Sequence, residues 1–128
     1  IPKSVGLCDV ATFKNCVNLT SIVFEDGGDV PLYVGGDLWL ENTQVTILVL
    51  PFKTYRIRGY WRRGSNLNTL YVKSTIPPIL EHGWGDNPDT CDLYVPIGCK
   101  EVYASATNWG SFRTITEYDF DLNPNNVH

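Results

Sequence analysis

The chain has 128 residues, 43% of them apolar and 19% charged, with a formal net charge of −4. That length suits one domain with a real core, and that composition lies far from the disordered class. The negative balance gives no general attraction to nucleic acid or anionic lipid, and the longest mainly apolar run, Val45 to Phe52, is too short to cross a bilayer, so a soluble domain without a transmembrane segment is expected.

Taken in chain order, apolar alternation appears at Leu19, Ile22 and Phe24, again at Val45, Leu48 and Leu50, again at Leu67, Leu70 and Val72, and last at Leu93 and Val95. Short alternating segments rich in β-branched residues bury one face as strands, so strands are expected near 20–24, 46–50, 68–72 and 91–95. The leaders Ile22, Leu48, Leu70 and Leu93 stand 26, 22 and 23 residues apart. A recurring step of that size marks a stack of coils, none of which can bury its apolar face alone. The position three before each leader is apolar except at Thr90.

Six residues upstream of that position stand Phe13, Trp39, Trp61 and Trp84, an independent column that supports the repeat and is expected to fill the return side of the core. Cys16, Asn42, Gly64 and Asn87 form a third column suited to tight turns, in which an amide can serve the backbone of the neighbouring coil. Leu32-Tyr33-Val34 falls outside the strand register. It shares a column with Leu7 and Tyr55 and is assigned to the return limb. Ile1-Pro2 aligns with Leu50-Pro51 and Val95-Pro96, so the chain is expected to begin inside a coil; lacking Met and any signal segment, it reads as a fragment or processed product with further coils upstream.

After the fourth strand the spacing of Val102, Tyr103 and Ala106 turns helical, with Gly98 before it and Gly110 as its stop. Ile115 lies 22 residues after Leu93 and returns to strand register. The segment 96–118 is therefore expected to close the array over its last apolar layer, leaving 119–128 as a polar tail. The expected fold is an α/β solenoid, 1–118, with one strand per coil in a short parallel sheet and a helix-containing C-terminal cap. Its step fits the roughly 20 to 29 residues of leucine-rich repeats.

The segments "FKNCVNLTSIVF", "LNTLYVKSTIPPIL" and "LYVPIGCKEVYASATNWGSFRTI" resemble the BspA-like leucine-rich repeats of bacterial surface proteins, whose coils run from an aromatic through Cys or Asn to L-x-x-I. The third segment is similar to that family's closing unit. The likeness extends from Ile1 to about Tyr118. It departs at "EDGGDVPLYVGGD", which lacks the usual framework, and at Gly64, which stands where the family has Cys. The resemblance implies an exported or cell-surface array for adhesion, with no chemistry of its own.

The residues themselves show no catalytic constellation. His82 and His128 are the only imidazoles, and no Ser or Cys motif sets a nucleophile beside a base. The glycines of "GGDVPLYVGGD" lack the Lys and Ser or Thr of a phosphate loop. "EDGGD" (Glu25, Asp26, Asp29) and "GDNPD" (Asp86, Asp89) lack a full calcium ligand set, and Glu81 with Asp86 share one loop rather than facing across a cleft. No catalytic residue, metal or cofactor is expected. Cys8, Cys16, Cys91 and Cys99 lack zinc-site spacing; free thiols are expected, with a Cys91 to Cys99 bridge as the alternative.

Residues alternating with the ladder face outward from the strands: Ser21 and Val23, Ile47 and Val49, Thr69 and Tyr71, Asp92 and Tyr94. An apolar strip of this kind marks an interaction surface, and tyrosines add rigid contact area with a polar tip. Ile47, Val49, Thr69, Tyr71, Asp92 and Tyr94 are the candidate ligand-binding residues, for an extracellular protein or glycan. A secondary basic patch comprises Arg56, Arg58, Arg62 and Arg63. The alternative role is a passive spacer within a larger surface protein.

Overall fold

The computed structural model describes residues 7–8, 16–24, 31–35, 40, 42–58, 65–80 and 88–121. Within them the chain is a parallel-strand β-solenoid of about three turns with little helix. Its strands are β1 (Leu7–Cys8), β2 (Leu32–Gly35), β3 (Ile47–Leu50), β4 (Thr54–Arg58), β5 (Thr69–Val72), β6 (Ile79–Leu80), β7 (Asp92–Pro96) and β8 (Thr114–Tyr118), with one helix, α1 (Lys100–Ser105), between the last two.

The leader register expected from the sequence is the register of the structure. Leu48 pairs with Leu70, Leu70 with Leu93 and Leu93 with Ile115, giving the sheet order β3-β5-β7-β8. Burial alternates along each of the first three strands, with Leu48, Leu50, Leu70, Val72, Leu93 and Val95 fully buried. Residues 21–24 alternate in the same way, with Ile22 and Phe24 inward, yet they form no strand. The step from Ile22 to Leu48, at 26 residues, is where strand pairing gives out, whereas the steps of 22 and 23 are all laddered.

The expectation of one strand per coil is corrected by a second parallel sheet, ordered β1-β2-β4-β6, on the return side. The return limbs carry their own alternation, with Leu32, Val34, Ile57 and Leu80 pointing at the ladder. Leu7 pairs with Tyr33, as their shared column suggests. Tyr33 pairs with Arg56 rather than Tyr55, because a bulge separates the Leu32–Thr54 pair from the next one. The extra residue turns both Tyr55 and Arg56 outward.

Inside, the column of Val45 and Leu67 continues at Cys91, not Thr90, because the 3₁₀ turn Pro88–Thr90 leaves Thr90 exposed and delivers the next side chain inward. Amides do bridge coils, two residues later than the turn column: Gln44 Nε2 donates to the Val17 carbonyl at 2.9 Å and Asn66 Nδ2 to the Thr43 carbonyl at 2.6 Å. Asn42 itself makes the turn, at φ 60°. Phe13, Trp39, Trp61 and Trp84 lie outside the described residues.

The last coil differs in kind. Its return side holds α1, only six residues long, and β8 then adds a strand to the ladder rather than covering it. Among the described residues nothing pairs with the outer edge of β8. The chain from 99 to 112 instead grips the loop between β5 and β6. Tyr103 Oη donates to the Ser74 carbonyl at 2.7 Å, Trp109 Nε1 to the Pro78 carbonyl at 3.0 Å, and the Cys99 thiol reaches the Thr75 carbonyl at 3.8 Å. Pro77 and Pro78 have no N–H with which to join a ladder, so these side chains serve the loop where strand pairing cannot.

The Thr54 hydroxyl is buried and has no hydrogen-bond partner among the described residues. An unpaired buried hydroxyl costs desolvation with nothing in return. Thr54→Val, which keeps the shape, is expected to raise the unfolding free energy by about 1 kcal/mol in a urea titration; a loss of stability would show that the hydroxyl is bonded.

Candidate functional site

Sheet register lines the outward residues up in rows. Ile47, Thr69, Asp92 and Thr114 form one, and Val49, Tyr71, Tyr94 and Thr116 the next. The six candidate residues thus share one face. Ile47 is half exposed, and Val49, Thr69, Tyr71, Asp92 and Tyr94 are partly buried. Val23 stands beyond them at a small crevice with Ile47 and Val49.

The two rows differ in chemistry. Tyr71 and Tyr94 stack with centroids 4.5 Å apart and planes 15° from parallel. Tyr118 meets both edge-on, at 5.3 and 6.0 Å, and Phe120 packs 5.0 Å from Tyr118 and 6.3 Å from Tyr71. Such a block is rigid, because each ring's edge or face is held by a neighbour. Burial, then the neighbouring Tyr94 and Tyr118, push the Tyr71 phenol above its usual value.

Asp92 is tied up within the protein. Its carboxylate accepts from Arg113 Nε at 2.8 Å and Arg113 Nη2 at 2.9 Å, and from the Thr114 hydroxyl at 2.8 Å. The Arg113 hydrogen bond, ahead of the opposing desolvation, holds the carboxyl below its ordinary value. Asp92 therefore fastens β7 to β8. A depressed folded pKa contributes stability that is complete above the unfolded carboxylate value of about 3.9 and disappears as pH falls through the folded value. Arg113→Gln is expected to be less stable than the parent at neutral pH, with the difference shrinking as pH falls through the lowered folded value of Asp92. A difference that persists in acid would mean that Arg113 acts by packing.

Of the basic patch, Arg56 sits 5.6 Å over the Tyr33 ring, with Tyr55 edge-on to Tyr33 at 6.1 Å. Arg58 lies on β4, and Arg62 and Arg63 fall outside the described residues, as do Glu25, Asp26, Asp29, Glu81, His82, Asp86 and His128. Among the described residues no three His, Cys, Asp or Glu side chains are grouped to hold a metal. Cys91 and Cys99 are buried thiols with no disulfide between them, and burial, aided by Glu117, raises the Cys99 thiol above its usual value. No described helix is long and apolar enough to cross a membrane.

Two grooves flank Phe52, a ring 67% exposed at the corner between β3 and β4. The first, about 410 Å³, lies between Phe52 and the aromatic block, walled by Thr75, Ile97, Tyr118 and Phe120. The second, about 540 Å³, is the more apolar and is lined by Pro31, Tyr55, Ile76, Pro77 and Ile79. No protein-family model and no curated protein matches this chain.

The corner residues were not among the sequence candidates. Phe52 and Ile97 each follow the proline that ends a repeat strand, Leu50-Pro51 and Val95-Pro96, so the column that aligned those prolines also pointed to them. Tyr118 and Phe120 had no comparable signal, because they reach the block only through the β7–β8 register that sets Tyr118 opposite Pro96.

Proposed function

We propose that this chain is a non-catalytic binding module of an exported or cell-surface protein, recognising an extracellular protein or glycan through the outward face of its ladder sheet. The observation that carries the reading is the block of Tyr71, Tyr94, Tyr118 and Phe120 on that face, beside an open groove. Rigid aromatic surface with polar tips is the chemistry from which binding hot spots are built. The repeat step, the Leu48–Leu70–Leu93–Ile115 ladder and the motifs quoted above support a leucine-rich array of the BspA-like type.

The test is retention of the purified chain on immobilised extracellular-matrix proteins and printed glycans. Saturable retention is expected, lost in the double variant Tyr71→Ser with Tyr94→Ser while the circular dichroism spectrum is kept. Retention unchanged in that variant would remove the site from this face. No saturable retention on any surface would leave the spacer role.

A further inference from the structure

We infer that Glu117 acts as a stop charge on the ladder sheet, keeping a second copy of this chain from pairing along the outer edge of β8. This role belongs to the end of the stack and is independent of any ligand of the outward face. The position of Glu117 in the ladder assigns it. Leu50 pairs with Val72, the same 23-residue step that sets Leu70 opposite Leu93 carries Val72 to Val95, and Val95 pairs with Glu117. Three fully buried aliphatic side chains are thus followed, in one inward column, by an exposed carboxylate. The neighbouring column, Leu48, Leu70 and Leu93, ends instead on the aliphatic Ile115, which is only partly buried.

Among the described residues the Glu117 carboxylate accepts one hydrogen bond, from the Lys100 N–H at 3.3 Å, and no cation pairs with it. That bond serves the first turn of α1, whose N-cap residue Cys99 makes no side-chain hydrogen bond. Capping alone would ask only for an acceptor; the charge has a separate consequence. An edge strand displays backbone donors and acceptors to any chain that meets it, and an inward-turned charge is one of the devices that close such an edge. A strand laid on β8 in ladder register would shut the carboxylate away from water beside an aliphatic column. A buried charge with one long hydrogen bond and no counter-ion costs enough to offset what the new backbone bonds contribute. Because Glu117 is exposed in the free chain, the cost falls on the associated state alone.

Three variants of the full chain separate charge from capping. Glu117→Gln keeps the shape and the acceptor and removes the charge, Glu117→Val restores the residue type of the column, and Glu117→Lys removes the acceptor but keeps a charge at the edge. Average mass is followed against protein concentration by sedimentation, and amide exchange at 114–118 locates any contact. Glu117→Gln is expected to shift from monomer toward dimer and larger species as concentration rises, with exchange slowed at 114–118, and Glu117→Val to shift further. The parent and Glu117→Lys are expected to show no concentration-dependent slowing there. Since Glu117→Gln is isosteric, it decides the matter even where Glu117→Val fails to fold. A Gln variant that behaves as the parent, a Lys variant that associates as the Gln variant does, association without slowed exchange at 114–118, or a parent already protected there at high concentration would each overturn the assignment.

Discussion

Trp109→Ala is expected to lower the unfolding free energy by about 3 to 5 kcal/mol, measured by urea titration. The ring is 1% exposed, edge-on to Tyr103 at 5.1 Å and stacked over Phe112 at 6.0 Å. Truncation opens a cavity between these two rings and also strips the Pro78 carbonyl of its donor. The two losses are separable. Trp109→Phe keeps most of the volume and removes the N–H, so it should cost about 1 to 3 kcal/mol, the cost of a buried acceptor left unmade.

Tyr103→Phe removes the corresponding donor to Ser74 and should cost a similar amount. Because both donors hold one loop, the double variant is expected to cost less than the two single losses combined; strict additivity would mean that the loop is held elsewhere. A loss below about 1 kcal/mol for Trp109→Ala would show that the C-terminal segment is not part of the cooperative core.

The second large effect belongs to the ladder. Leu70→Ala is expected to cost about 2 to 5 kcal/mol, because Leu70 is fully buried between Leu48 on one side and Leu93 on the other. The same truncation at Ile22 should cost less, since that residue keeps 9% of its surface exposed and lies beyond the last paired strand. In a stack whose coils touch only their neighbours, a central defect interrupts two interfaces and a terminal one interrupts a single interface. Equal losses at the two positions would argue against a linear stack.

The candidate face divides along the same physical line. Alternation places Tyr71 and Tyr94 outward whatever the fold's details, and their identical offset from Leu70 and Leu93 made them neighbours in advance. Nothing in alternation forbids Asp92 from facing solvent with a free carboxylate. Arg113 and Thr114 claim it only because β8 pairs with β7 in parallel. Composition places Phe120 in a polar tail, whereas its ring packs against Tyr118 and Tyr71 just beyond the end of β8.

The sequence by itself determined the coil step, the inward ladder and the residues opposite one another within it, because a period of two along each strand and a near-constant step between strands leave one register that buries every leader. The tertiary structure alone decided that the return limbs pair into a second sheet, that Cys91 rather than Thr90 fills the third apolar column, and that Phe52 faces Tyr118 across a groove. Those outcomes depend on bulges, on turns such as Asn42 and on side chains meeting across long stretches of chain, as Trp109 meets Pro78 over 31 residues. Local periodicity specifies which way a side chain points; only closure of the coil specifies what it meets there.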